Sequence, residues 1–130
     1  MTVGRELDVK VAESVMGYRN IRKSSDGEWR GKSDGIVGGY SKIPQYSRDI
    51  EAAFWVVGRI RETLPIQRST QTFSFQLDQS GIPGGWHCSF VINEFDWSHQ
   101  AYVDEAETAP LAICLAALKA VAAQESPYAK

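Results

Sequence analysis

Residues 108–123 read TAPLAICLAALKAVAA, and Lys119 carries the only formal charge between positions 109 and 123. A helix that is apolar on nearly all sides must be covered by the rest of its own fold, and this stretch is shorter than the roughly twenty apolar residues that cross a bilayer. It therefore predicts the central packing helix of a soluble domain. Thr108 is placed to cap it, and Pro110 falls in the first turn, where its missing N–H costs nothing. Glu105 and Glu107 lie at the positive end of its dipole.

Two further helices are expected ahead of it. Across residues 4–16, GRELDVKVAESVM, the side chains Leu7, Val11 and Val15 recur every four positions with Ala12 and Met16 alongside, and Gly17 follows as a stop. Residues 43–64, IPQYSRDIEAAFWVVGRIRETL, offer Ser47 as N-cap and Asp49 and Glu51 in the first turn. Ile50, Ala53, Phe54, Val57, Ile60 and Leu64 form the expected core stripe, closed by Pro65. Gly58 costs about 1 kcal/mol relative to Ala inside a helix, so it is expected to permit the close approach of a neighbour. Trp55 lies beside the stripe, to pack on the helix flank or to face a partner.

After Pro65 the apolar period changes to two. Residues 72–77, TFSFQL, alternate strictly, and so do Trp86, Cys88, Phe90 and Ile92. A third, shorter strand is expected over 97–103, with Trp97, His99, Ala101 and Val103 on one face. Segments 24–39 and 78–85 are rich in Gly, Ser, Asp and Pro and read as flexible loops, the first as an irregular loop or a short exposed hairpin around Trp29 and Tyr40. The whole is one α+β domain over residues 1–130, with three helices and a mostly antiparallel sheet of three or four strands.

Three motifs carry a resemblance. YSRDIEAAFWVV at 46–57, EAETAPLAICLAALKAV at 105–121 and VMGY at 15–18 together resemble the phage ABA sandwich domain family of small phage and prophage proteins. The likeness spans most of the chain and implies a three-layer helix, sheet, helix sandwich and a phage or prophage origin. It implies no catalytic residue, and residues 24–39 and 81–85 match nothing in it.

The chemistry-bearing residues are few. Fourteen Lys and Arg against sixteen Asp and Glu leave a net charge of -2, which provides no field for duplex nucleic acid or an anionic membrane. Cys88 and Cys114 lack metal-ligand spacing and no secretory pattern precedes them, so they read as reduced, buried thiols of a protein in the host cytosol. His87 and Cys88 are neighbours on a strand and point to opposite faces, which excludes them as a dyad. His87 and His99 have no metal motif, and the carboxylates of Glu94 with Asp96 and of Asp104 with Glu105 read as a solvated turn and a helix start. No enzyme, metal or cofactor is expected.

What remains is a surplus of aromatic rings and guanidinium groups, the means by which a protein without catalytic groups holds a base and a phosphate. The expected function is a counter-defence sponge for a nucleotide-derived signal, with Trp29, Trp86 and Trp97 as stacking rings and Arg48 and Arg59 as phosphate ligands. The alternative is an inhibitor or accessory that docks an aromatic patch on a host defence protein, or a virion component. Homo-oligomers are expected in each case, with the Trp55 flank as a two-fold contact.

Overall fold

The computed structural model describes residues 4–32, 41–63, 72–79, 84–93 and 99–125. Expectations for Tyr40, Leu64, Pro65, Glu94, Asp96 and Trp97, and for loop residues 33–39 and 80–83, lie outside them. Among the described residues nine elements follow in the order α1 (Arg5–Ser14), β1 (Arg19–Lys23), β2 (Trp29–Lys32), β3 (Ser41–Lys42), α2 (Ile50–Thr63), β4 (Thr72–Gln79), β5 (Trp86–Asn93), β6 (His99–Ala106) and α3 (Ala109–Glu125). They form an α+β sandwich of three helices and two antiparallel sheets, ordered β1-β2-β3 and β4-β5-β6.

The apolar helix is the hub. Ala112, Ile113, Cys114, Ala116, Ala117 and Ala120 of α3 are fully buried, and α3 touches β5, β6, α1 and α2. Thr108 caps it, its carbonyl accepting the Ala112 N–H at 3.0 Å and its hydroxyl the Leu111 N–H at 3.4 Å. Lys119 stays exposed and donates to the Val103 carbonyl at 2.9 Å beside the Asp104 carboxylate at 3.3 Å. The helix thus places its single cation over the edge strand.

Strand β5 is central in its sheet, and its expected alternation holds, with Cys88, Phe90 and Ile92 buried. Phe73 and Phe75 from β4 stack on Phe90 at centroid distances of 6.2 and 5.5 Å. On the other side the register pairs Phe90 with Tyr102 and Cys88 with Asp104. Directly paired residues share a face, so Tyr102, Asp104 and Ala106 face the core side. Ala101 and Val103 fall together on the opposite face, as expected, across from Val91 and Ser89. The strand also runs to Ala106, so Asp104 and Glu105 are strand residues and not a helix start. A polar Asp can face inward there because Lys119 meets it.

Of the two expectations for 24–39, an irregular loop or a short hairpin, the described part fits the hairpin, because it contains a strand. Trp29–Lys32 pairs with Arg19–Lys23 on one side and Ser41–Lys42 on the other. Its turn is closed by Asp26, whose carboxylate accepts from the Ser24 hydroxyl, the Glu28 N–H at 3.0 Å and Arg30 at 3.0 Å. Those donors, Ser24 first, hold the Asp26 carboxyl well below the usual carboxylate range. Gly31 is needed for close approach, since a Cβ there would sit 2.9 Å from Ile21.

In α2 the expected stripe holds at Ala53 and Ile60 and is otherwise rotated. Ala52, Ala53, Val56 and Ile60 are buried, while Ile50 and Phe54 are exposed. Small residues win because the neighbouring α3 is itself rich in alanine, which lets two helices pack closely. Nor is Ser47 the cap. Asp49 accepts the Glu51 N–H at 3.0 Å, and its carbonyl takes the Ala53 N–H. Ser47 is buried, and both its N–H at 2.8 Å and its hydroxyl at 2.7 Å donate to Asp8. Asp8 is itself fully buried and pairs with Arg5 at 2.9 Å, which also donates to the Ile43 carbonyl at 2.7 Å. This network ties α1 to the segment that leads into α2.

Candidate functional site

The outward side of α2 carries the exposed large apolar side chains of the described structure. Ile50, Phe54 and Trp55 keep 42%, 48% and 54% of their surface in water. Phe54 is partly held by an edge contact with Phe75, at 6.4 Å between centroids. Trp55 projects one residue further round the helix. A cluster of this kind marks a binding surface more often than a scattered single residue does.

Beside it lies an open groove of about 470 Å³, lined by Met16, Tyr18, Tyr46, Phe54, Trp55, Gly58, Arg59 and Glu62. One wall is α2. The other is the exit from α1, where Gly17 adopts a left-handed φ of 80° that reverses the chain and brings Tyr18 back, its N–H bonded to the Ala12 carbonyl at 2.9 Å. Tyr46, 1% exposed, closes the floor, and burial together with the neighbouring Tyr18 pushes its hydroxyl far above the usual range. It stays a neutral phenol.

Arg59 joins the two walls. Its Nε donates to the Val15 carbonyl at 3.2 Å, at the end of a helix whose last turn contains no basic residue of its own. A cation at a helix C-terminus is favourable because the last carbonyls are unsatisfied and carry the negative end of the dipole. Glu62, three residues on, adds an acceptor to the same wall. A ligand in this groove would therefore meet flat rings, one cation and one carboxylate.

A family model for the phage ABA sandwich domain matches residues 9–118, from the middle of α1 into α3. The chain belongs to the phage ABA sandwich domain family. Every residue that lines the groove falls within the match. No curated protein and no solved structure matches the chain.

In this phage ABA sandwich domain the four expected site residues that the structure describes do not converge. Trp29 sits on β2 and Trp86 opens β5, in different sheets, and both rings are half-buried against the core. Arg48 is exposed in the turn before α2, and Trp97 lies outside the described residues. Of the four that the structure describes, Arg59 alone lines the groove. The residues that sequence reasoning passed over are Tyr18, Tyr46 and Phe54. Phe54 had a usable signal, since Ile50, Phe54 and Gly58 repeat every four residues and form a stripe separate from the alanines.

The other reactive side chains are withdrawn or dispersed. Cys88 and Cys114 are free and fully buried, and burial pushes both thiols up to about 12. Only the thiolate is nucleophilic, so iodoacetamide at pH 8 should label the native protein on the order of a thousandfold more slowly than an exposed cysteine. Two labels per chain should appear once the protein is unfolded in guanidinium, as counted by mass spectrometry. Rapid labelling of the native protein would contradict the burial. His99 pairs with Asn93, at the far end of β5 from His87, about 20 Å away at the rise of a strand. Among the described residues no group of three metal-ligating side chains converges, and no helix is long and apolar enough to cross a membrane.

Proposed function

We propose that this phage ABA sandwich domain is a non-catalytic binding protein that holds a nucleotide-derived ligand in the α2 groove and so removes a signal from the host cytosol. The observation that carries the reading is the half-exposed Trp55 beside Arg59 in a groove of about 470 Å³. That volume suits a small molecule, and few convergent polar groups on an aromatic lining are the usual composition of such sites. A base stacks on Trp55 or Tyr18, which depends on the π-face common to every base. Arg59 meets a phosphate, and Glu62 accepts from an exocyclic amino group or a ribose hydroxyl. The chain has a net charge of -2, so the attraction for an anion must be local. This reading moves the site from the strand tryptophans to the helix.

The test is thermal. Cyclic AMP, cyclic di-GMP and cyclic ADP-ribose are titrated against the purified protein while its melting temperature is read. A ligand present at a hundred times its Kd should raise the Tm by about 10 °C, because it binds the folded state alone. If none of these probes moves the Tm at millimolar concentration, the sponge reading fails.

A second reading rests on a separate observation, the three exposed apolar side chains Ile50, Phe54 and Trp55 on one helix. Such a patch suits an inhibitor or accessory that docks on a host protein, with the rings as anchors. It also suits self-association, which sedimentation at several protein concentrations separates from a monomer.

A further inference from the structure

We infer that Gly58 is the seat of the ligand's flat ring, a bare stretch of helix backbone that sets what the groove accepts; this rests on the groove being the binding site. A glycine inside a helix is unfavourable, since its backbone loses the most freedom on folding. Among the described residues nothing requires it. A Cβ built at Gly58 has no atom within 4 Å, and the residue is exposed. The expectation that it admits a neighbouring element of the fold is thereby corrected. The backbone there has no positive φ that would favour glycine. Neither strain nor packing against the described residues accounts for the glycine.

Its position does. Gly58 lines the groove between Trp55, one turn before, and Glu62, one turn after, with Phe54 directly above it. Any other side chain would project from the middle of this wall into the space that the rings surround. With hydrogen alone, a planar heterocycle reaches van der Waals contact with the helix backbone, its edge towards Glu62 and its anionic substituent towards Arg59. The ligand class that fits is a nucleotide whose base carries an exocyclic amino group, since the Glu62 carboxylate offers only acceptors to that edge.

The experiment compares wild type, Gly58→Ala and a control, Glu51→Ala, on the same exposed helix but outside the groove. Without ligand, Gly58→Ala should raise the Tm by about 4 °C, because alanine favours the helix. Its affinity for whichever of cyclic AMP, cyclic di-GMP or cyclic ADP-ribose stabilises wild type should fall about tenfold or more, as one added methyl in a fitted site can achieve. Glu51→Ala should bind as wild type does. A Gly58→Ala protein that is stabilised by ligand as much as wild type overturns the inference and leaves the sponge reading in place. A wild-type protein that no probe stabilises overturns both.

Discussion

Phe90→Ala is expected to remove about 3–5 kcal/mol of stability, the range for deleting a buried aromatic ring. Phe90 is fully buried on the central strand and has Phe73 and Phe75 stacked against it, so the cavity opens where two sheet neighbours lose their partner together. Those neighbours are only half-buried and cannot follow the ring inward without breaking their ladder to β5. Since domains of this size hold about 5–15 kcal/mol in total, the variant should unfold near the lower limit of stable expression. Urea denaturation followed by tryptophan fluorescence measures it. Phe90→Leu keeps most of the volume and should lose about half as much or less. A Phe90→Ala protein within about 1 kcal/mol of wild type would show that the ring is not the keystone of the sheet.

Asp8→Ala is the second large effect, at about 3 kcal/mol, near the lower end for breaking a buried pair because Arg5 is partly exposed. The carboxylate satisfies the N–H and hydroxyl of buried Ser47 and the guanidinium of Arg5 at once. Its removal leaves buried donors without acceptors, which costs more than the bonds themselves contributed. Asp8→Asn keeps one acceptor oxygen and the shape, and should lose less. The double variant Asp8→Ala with Ser47→Ala should be less destabilised than the sum of the two single changes, by about 1 kcal/mol or more, because the two residues act as one unit. Simple additivity in a thermal or urea series would deny that coupling.

The α3 helix could be read directly because an apolar segment in water has one fate, and the alternation in β5 was equally plain. The core face of α2 was not. Its sequence holds two overlapping apolar stripes that share Ala53 and Ile60, one completed by Ile50, Phe54 and Val57 and one by Ala52 and Val56, and size alone favours the first. The alanine-rich partner decides for the second, and that is a fact about tertiary packing. Asp8 could have been suspected, since Asp8, Ala12 and Val15 share a helix face. Its partner Ser47 is far away in sequence, so the hydroxyl looked like a cap. The strand β2 was hidden among Gly and Ser because its pairing depends on both neighbours. For the site, composition announced spare rings and guanidinium groups but could not say which were interior. Trp29 and Trp86 went to the two sheets, while Trp55, already placed on the helix flank, stayed in water.

Arg59 reaches from α2 to the Val15 carbonyl at the C-terminal end of α1, and the groove has one wall on α2 and the other on the exit from α1. The receptacle therefore has no existence apart from a seated first helix. Whatever fills it also fastens that helix, and whatever loosens the helix spills the contents, to the same extent in free energy in either direction. If the groove holds the proposed ligand, sequence drift near Asp8 or Arg5 would in this way alter its retention without touching it.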